Sequence, residues 1–337
     1  EESDWSSDVC SSDLYEWNME ATLLRNPLRI NSLRKVSMTL PAVTRRLALG
    51  RLVSVAALGL PLAACQTAAP PKPVAVAEEP PRPVPVLPPP RPPRIGLALG
   101  GGAARGFAHV GVIQVLEEQG IRPDLVVGTS AGSLVAAMYA SGKTGVEMGS
   151  LARTLDESAL TDWSFPGRGL IRGEALARFA RSQAGGLAIE QMKLPLGIVA
   201  TDLADGQPIL FQRGDVGTAV RASSAVPAVF QPVRIGTREY VDGGLVSPVP
   251  VRFARQMGAE LVIAVDISSP PDGNATGDAM HMLLQTFAIM GGSINRLELK
   301  DADVVMRPTL LGVSSADFTA RLKAIQAGRD AAVALLP

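Results

Sequence analysis

The sequence predicts an α/β fold in which helices cover a largely parallel sheet. IGLALG (95–100) is an apolar run that leads through a glycine-rich turn into FAHVGVIQVLEEQG (107–120), whose apolar residues recur at helical spacing. DLVVGTS (124–130) is a second apolar run, and AGSLVAAMYASG (131–142) is a second helical stretch. A glycine closes each helical stretch, as at many helix ends. Such alternation is typical of α/β proteins with buried parallel strands.

The later part of the chain continues the alternation. Short apolar runs predict strands at 197–202, 208–212, 238–242, 260–267 and 303–308. Helical spacing predicts helices near 146–156, 173–183, 215–224, 250–257, 280–298 and 316–335. No internal repeat is visible, and residues 94–337 have the length of one ordinary domain.

One predicted helix contains the Met-rich stretch MHMLLQTFAIM (280–290). Packing in the protein core is the preferred interpretation, because amphipathic stretches usually bury their apolar side. Lining an acyl pocket and contacting a membrane are the alternatives.

The composition of the chain excludes several classes of function. The 337 residues include 32 basic and 32 acidic residues, so the formal net charge is zero, and only 4% are aromatic. Neither a basic stripe nor a base-stacking platform is evident, so no nucleic-acid partner is expected. The two cysteines, Cys10 and Cys65, form no Cys/His cluster, and no metal site is expected.

The region before the domain divides into three segments. Residues 1–37 are polar and patternless, and we interpret them as an artefactual or non-native extension. Residues 38–64 combine a basic stretch with a 12-residue apolar run, as in a secretory signal peptide. Residues 65–93 are a linker, because 12 of the 24 positions in 70–93 are proline. Such a segment favours the polyproline II conformation; a semi-rigid spacer and a disordered tether are equally compatible with it.

The signal-like segment ends in LAAC (62–65), which resembles the bacterial lipobox. This resemblance implies that Cys65 becomes the lipid-modified N-terminus of a protein anchored in the bacterial cell envelope. Gln66 after the cysteine favours the outer membrane over retention at the inner membrane. An ordinary signal peptide with a chance cysteine is the alternative. Membrane lipids are thus the expected anchor, and protein partners are unknown.

The stretch GTSAG (128–132) lies between the second predicted strand and the second predicted helix. This is the context of a nucleophile elbow, in which Ser130 projects from a strained turn at the positive end of a helix. Gly128 and Gly132 would relieve crowding there, with Thr129 and Ala131 beside the serine. A merely polar turn is the alternative.

The stretch GGGAARG (100–106) follows the first predicted strand. Arg105 and Ala103 interrupt the two registers of a dinucleotide-binding GxGxxG pattern, and no Walker A lysine follows. Backbone N–H groups in a glycine-rich turn at a helix N-terminus suit an oxyanion hole better.

The sequence leaves the general base open between histidine and aspartate. His281 fits the chain order of a Ser–Asp–His hydrolase, whereas His109 lies just after the glycine loop. Asp242 ends a predicted strand in YVDGG (240–244), where Gly243 and Gly244 permit a close approach to another loop. Asp-Gly-Gly is also ordinary turn chemistry.

Taken together, the chain resembles the patatin-like phospholipase family, in its bacterial, neuropathy-target-esterase-like branch. The resemblance covers roughly residues 94–310 and rests on four motifs: IGLALGGGAARGFAHVGV, VVGTSAGSLVAA, RASSAVPAVFQPV and YVDGGLVSPVP. It implies a three-layer α/β/α fold with a mostly parallel central sheet, and a lipid acyl hydrolase of phospholipase A or lysophospholipase type that needs no cofactor.

The family resemblance also implies roles for particular residues. Ser130 would be the nucleophile and Asp242 the base of a Ser–Asp dyad. The turn of Gly101, Gly102, Ala103 and Arg105 would form the oxyanion hole, although Ala103 stands where many members have glycine. An acyltransferase with the same acyl-enzyme, and a non-catalytic envelope binding protein that keeps the fold, are the alternative functions.

Overall fold

The structure is a computed structural model that describes residues 91–164, 167–271, 276–314 and 316–336. The predicted extension (1–37), signal peptide (38–64) and lipid-modified Cys65 lie outside the described residues, as does the linker (65–93) up to residue 90. None of the described helices combines the length and the apolarity that crossing a bilayer requires.

The strands, numbered in chain order, form one large sheet and one small pair. The eight strands of the large sheet are β1 Ile95–Leu99, β2 Leu125–Thr129, β4 Leu196–Asp202, β5 Pro208–Phe211, β7 Val233–Ile235, β8 Arg238–Asp242, β9 Leu261–Val265 and β10 Val304–Met306. The pair, which is parallel, consists of β3 Gly169–Ile171 and β6 Ala228–Phe230.

The large sheet has the order β10-β9-β1-β2-β4-β8-β7, and β5 pairs with β4. Strands β10, β9, β1, β2 and β4 run parallel to one another. Strands β5 and β8 run antiparallel to β4, and β7 runs antiparallel to β8. The predicted, mostly parallel sheet is therefore confirmed.

Helices cover both faces of the large sheet. The helices described are α1 Phe107–Glu118, α2 Ala131–Ala140, α3 Gly145–Thr154, α4 Glu174–Gln183, α5 Val216–Ser223, α6 Val251–Gln256, α7 Ala279–Glu298 and α8 Arg321–Val333. Leu97 and Leu99 join a core with α1–α5 and α8, whereas Ala98 between them joins a second core with α6. Since successive strand residues point to opposite faces, this alternation gives three layers.

Helices α1 and α8 cross with almost no space between their backbones. A Cβ built on Gly111 of α1 would lie 1.9 Å from the carbonyl oxygen of Ile325, and one on Gly328 of α8 would lie 1.9 Å from that of Ala108. No other residue type fits at these two positions. The crossing fixes the helix that follows the glycine-rich turn.

Helix α7 corrects one sequence-based interpretation. The stretch 280–290 was interpreted as core, yet the buried residues of α7 are Gly291, Asn295 and Glu298. Every residue from 279 to 290 is exposed or half-buried. Helix α7 therefore buries none of the apolar side chains of this stretch completely.

Candidate active site

Two strands converge head-on beside the same edge of β4. Thr129, the last residue of β2, pairs with Val199 of β4, and Asp242, the last residue of β8, pairs with the next residue, Ala200. Strand β5 pairs with residues 198–201 and so occupies the other edge. Since β2 is parallel and β8 antiparallel to β4, their C-terminal ends meet. Sheet pairing thus brings Ser130, one residue beyond β2, next to Asp242.

The backbone of Ser130 is held in a strained conformation. Its φ is 53° and its ψ is −125°, at the N-cap of α2. A residue with a Cβ rarely adopts this region, and strain of this kind clusters at functional sites. The turn is tight on both sides: a Cβ built on Gly128 would lie 2.3 Å from the carbonyl oxygen of Gly132, and one on Gly132 would lie 2.2 Å from that of Leu99.

Ser130 and Asp242 are in direct contact. The Oγ of Ser130 donates a hydrogen bond to Oδ2 of Asp242 over 2.7 Å. Both residues are buried, with 9% and 6% of their surface exposed. The serine also lies at the N-terminus of α2, where the helix dipole favours negative charge. The pair has the geometry of a nucleophile and a base.

The other contacts of Asp242 fix its orientation. The N–H of Gly244 donates to Oδ1 over 2.6 Å, and the hydroxyl of Thr201 donates to the backbone carbonyl of Asp242 over 2.8 Å. Gly243 is required for packing, because a Cβ there would lie 2.2 Å from the carbonyl oxygen of Val199. Burial raises the pKa of Asp242 from 3.8 to about 6, against the opposing hydrogen bonds from Gly244 and Ser130.

Ser223, in the last turn of α5, is a site residue that the sequence reasoning missed. The backbone N–H of Ser130 donates to the Oγ of Ser223 over 2.8 Å, and that hydroxyl donates to the carbonyl of Val199 over 2.5 Å. Ser223 is fully buried. Its motif, RASSAVPAVFQPV, contributes to the family resemblance, but no spacing within it singles out this serine.

The glycine-rich turn passes directly beside Ser130. A Cβ built on Gly101 would lie 3.1 Å from the Cβ of Ser130 and 3.9 Å from its Oγ. The turn is anchored at both sides: Gly100 donates to the carbonyl of Val265 over 3.1 Å, and Gly101 donates to that of Pro248 over 2.9 Å. The loop that follows Asp242 therefore holds the glycine-rich turn in place.

The hydrogen bonds of this turn reduce the number of backbone N–H donors that are available to the predicted oxyanion hole. The N–H of Gly101 is taken up by Pro248, and that of Arg105 by the carbonyl of Gly102 over 3.1 Å. These two predicted donors are therefore engaged within the protein. The N–H groups of Gly102 and Ala103 have no acceptor among the described residues. Only these two of the four predicted residues offer a free backbone donor.

Ala103 in the glycine-rich turn adopts a backbone conformation that disfavours a Cβ. The φ of Ala103 is 50°, in the left-handed region, which is unfavourable for a residue that has a Cβ. Gly102 before it has an extended φ of 167°, but a Cβ there would lie 2.8 Å from the Cδ1 of Ile267. The turn thus keeps its path with alanine at 103, under local strain.

The remaining candidates lie away from the Ser130–Asp242 contact. Nε2 of buried His109 donates to the carbonyl of Gly100 over 2.8 Å, and burial lowers the pKa of His109 to about 4. His281 is exposed and contacts Asp278 over 2.7 Å. The histidine alternatives for the base are thus not supported by the contacts of either ring.

The guanidinium group of Arg105 is buried beside the turn. Its Nε and Nη1 atoms have no hydrogen-bond partner among the described residues. Burial lowers the pKa of Arg105, and the charge of Asp266 opposes that effect. In the part of the chain that the structure describes, no group of three or more His, Cys, Asp or Glu side chains is close enough to hold a metal ion.

Comparison with known proteins places this geometry in a family. A family model described as patatin-like phospholipase matches residues 97–255, which include both Ser130 and Asp242. This part of the chain belongs to the patatin-like phospholipase family. The membership agrees with the motifs that the sequence carries.

Relatives of the patatin-like domain include bacterial and animal proteins. An uncharacterised NTE family protein of Mycobacterium tuberculosis is 39% identical over 186 residues, which are 54% of this chain and 51% of that protein. Patatin-like phospholipase domain-containing protein 6 of Mus musculus is 33% identical over 196 residues, which are 55% of this chain and 14% of that protein. The predicted branch of the family is confirmed. The chain spans about half the length of its mycobacterial relatives.

A solved structure supports the fold of the patatin-like domain. VipD from Legionella pneumophila superposes with a TM-score of 0.50 at 16% sequence identity, over 72% of this chain and 67% of VipD. At this identity the likeness shows the fold alone.

Proposed function

We propose that this protein is a serine esterase that hydrolyses acyl ester bonds of lipids, with phospholipids or lysophospholipids as substrates. The observation that carries the proposal is the 2.7 Å hydrogen bond from Ser130 to buried Asp242, made by a serine in a strained turn at a helix N-terminus. Membership of the patatin-like phospholipase family supports the lipid substrate class.

The proposed reaction has two halves. Asp242 accepts the hydroxyl proton as the Oγ of Ser130 attacks the ester carbonyl carbon, and the carbonyl oxygen becomes an oxyanion. The N–H groups of Gly102 and Ala103 stabilise that charge. The intermediate then collapses, the leaving alcohol takes the proton from Asp242, and an acyl-serine remains. Water attacks the acyl-serine with Asp242 again as base, and the proton returns to Ser130 as the fatty acid leaves.

The pKa of Asp242 suits this role. A base must be ionised at the working pH and still hold a proton well enough to remove one from serine. With a pKa raised to about 6 by burial, Asp242 is a stronger base than an exposed aspartate and is ionised at neutral pH. The base and the helix dipole act on Ser130, and the oxyanion donors act on the carbonyl oxygen of the ester that it attacks.

Covalent labelling tests the proposal most directly. The full chain is treated with a fluorophosphonate, and the modified residue is mapped by mass spectrometry. We expect the label on Ser130 in the wild type and in His281→Ala, and labelling slower by about 10²- to 10⁴-fold in Asp242→Asn. Slow labelling in His281→Ala alone would overturn the assignment of the base.

Product analysis separates hydrolysis from transfer. The wild type is incubated with phospholipid or lysophospholipid, with and without an added acceptor alcohol. We expect free fatty acid in both cases and no product in Ser130→Ala. A new ester as the main product would identify an acyltransferase, and unchanged turnover in Ser130→Ala would favour a non-catalytic role for the site.

We also propose that Cys65 carries a lipid anchor and holds the protein in the bacterial cell envelope. The proposal rests on the order of a basic stretch, an apolar run and LAAC (62–65) in the sequence. Membrane anchoring would keep an esterase beside its lipid substrate. The intact mass of the protein extracted from membranes tests it: an unmodified Cys65, or cleavage at another position, would end the proposal.

A further inference from the structure

Helix α7 exposes large apolar side chains on the side that faces away from the domain. Its buried residues are Gly291, Asn295 and Glu298, which recur at intervals of four and three and so share one side. The opposite side exposes Met282, Ile289 and Leu297 to 54%, 51% and 68%. Soluble proteins normally place apolar side chains of a helix against the core. The exposed side of α7 is therefore adapted to an apolar partner.

The polar residues on this exposed side do not project free hydroxyl groups. The hydroxyl of Thr286 donates to the carbonyl of Met282 over 2.9 Å, and that of Ser293 donates to the carbonyl of Ile289 over 3.0 Å. Hydroxyls that bond within their own helix need no water. From residue 279 to residue 295 the helix contains no Asp, Glu, Lys or Arg. Up to residue 295 this face can therefore be covered by hydrocarbon without burying an unpaired charge.

The buried side of α7 sits on the loop that follows Asp242. The carboxylate of Glu298 accepts a 2.7 Å hydrogen bond from the hydroxyl of Ser247, and a Cβ built on Gly291 would lie 3.5 Å from the Cγ of Pro248. The carbonyl of Ser247 accepts from Thr129, and that of Pro248 accepts from Gly101. The two residues under α7 thus bond directly to the nucleophile strand and to the glycine-rich turn.

We propose that α7 is a lipid-surface docking helix, which lies in the interface of a bilayer with the side of Met282, Ile289, Met290 and Leu297 inserted among the acyl chains. Methionine side chains are flexible and suit a disordered apolar surface better than a fixed partner. Arg296, exposed at the C-terminal end of this face, donates to the Oγ of Ser293 over 2.9 Å and can reach lipid phosphates at the bilayer surface. Docking in this way would hold the bilayer against the helix that packs on the loop after Asp242.

This inference rests on the proposed lipid substrate for its benefit to the reaction, but it can be tested without turnover. The full chain carries Ser130→Ala, so that no lipid is hydrolysed, and has Cys10 and Cys65 replaced by serine. A single cysteine at Ile289→Cys is labelled with a polarity-sensitive fluorophore. The matched control is Val146→Cys in α3, which is 66% exposed on a helix that packs against α1 and α8.

Vesicles of phosphatidylethanolamine and phosphatidylglycerol provide the probe. We expect the label at 289 to shift to shorter wavelength on mixing and to be quenched by brominated acyl chains, with no change at 146. A probe at 289 that stays unchanged while the chain sediments with the vesicles would overturn the inference. So would a shift that depends on protein concentration without vesicles, since that would identify a second copy as the partner.

A functional arm uses the active protein. In Ile289→Asp/Met290→Asp we expect hydrolysis of vesicle lipid to fall by about tenfold or more, because two apolar side chains no longer enter the acyl region. Val146→Asp should stay within about twofold of the wild type. The rate of Ser130 labelling by a soluble fluorophosphonate and the thermal midpoint verify folding. If both variants hydrolyse vesicle lipid at the wild-type rate and Ser130 is still required, the proposed esterase activity is supported and the docking role of α7 is contradicted.

Discussion

The backbone N–H of Ser130 is held by the side chain of Ser223, over 2.8 Å. The hydroxyl proton of Ser223 is in turn bonded to the carbonyl of Val199 in β4 over 2.5 Å. The strained turn is therefore tied to α5 and to the central strand of the site. Ser223 touches no reacting atom in the proposed mechanism, and it acts by positioning Ser130.

Replacement of this serine tests the positioning role. In Ser223→Ala we expect kcat to fall about tenfold or more with KM little changed, because small displacements of a nucleophile cost large factors in rate. Stability should fall by about 1–3 kcal/mol, since a buried N–H loses its acceptor. Ser133→Ala is the control. In this variant the carbonyl of Ser130 loses its hydrogen bond from the hydroxyl of Ser133 but keeps the 2.8 Å hydrogen bond from the backbone N–H of residue 133. Equal losses of kcat in both variants would contradict the role.

The pH dependence of the reaction should report Asp242. In the proposed mechanism the ionised carboxylate of Asp242 is the base, and burial raises its pKa to about 6. We therefore expect kcat/KM to rise with pH through one ionisation near 6 and then level off. A soluble short-chain ester assayed from about pH 4 to pH 9 gives the profile. Neutral His109, with its pKa lowered to about 4, would not produce this profile. A midpoint near 4 would argue against a buried base.

The same pKa makes a prediction about stability. The folded pKa of about 6 lies above the ordinary value of 3.8, so the folded protein holds this proton more tightly than the unfolded chain does. The contribution to stability is present below about pH 4 and is lost as pH rises to about 6. Relative to the wild type, Asp242→Asn should gain up to about 3 kcal/mol between these limits. Denaturant unfolding at several pH values measures it; a constant difference would contradict the burial effect.

The strain at Ser130 can be measured by comparing two inactive variants. Ser130→Gly should be more stable than Ser130→Ala by about 1–2 kcal/mol, because glycine adopts a positive φ without a Cβ clash. The order should reverse at Ser133 inside α2, where glycine is less stable than alanine by about 0.5–1 kcal/mol. Thermal or denaturant unfolding of the four variants gives both differences. A Ser130→Ala variant at least as stable as Ser130→Gly would show that the turn stores no strain.

A similar exchange probes the glycine-rich turn. Ala103→Gly relieves a φ of 50° and should raise stability by about 0.5–1 kcal/mol. Ala104→Gly, at the buried next position, should lower stability by at least a similar amount. Labelling of Ser130 in Ala103→Gly should remain, because the N–H is retained. A loss of labelling there would show that the alanine side chain itself shapes the oxyanion site.

The predicted elements agree with the structure where the patterns are long. All eight described helices fall on predicted stretches, and the buried parallel strands coincide with apolar runs. Strands β3, β6 and β7 have three residues each and were not predicted, although β10, which is equally short, was. Three residues are too few for a period of two to show. The antiparallel direction of β8 could not be read either, because strand direction depends on pairing and not on local pattern.

Some features of the candidate site could be predicted from local sequence motifs, and others depend on contacts between distant segments. Ser130 and Asp242 stand in short motifs, and the structure brings them together. Ser223 carries no pattern of its own, since its role depends on the packing of α5 against β4. The engagement of Gly101 with Pro248 likewise depends on a contact between distant segments. The exposure of helix α7 could not be predicted, because an apolar stretch does not reveal which side of the helix faces the domain.

Adjacent residues of β4, Val199 and Ala200, pair with the ends of the two strands that carry the reacting side chains. The distance between Ser130 and Asp242 is therefore set by their register on β4, although 112 positions separate them in the chain. Insertions and deletions in the connections between these strands can remodel what surrounds the substrate while β4 keeps its register. A fold arranged in this way is free to diversify in specificity during evolution while its chemistry stays constant.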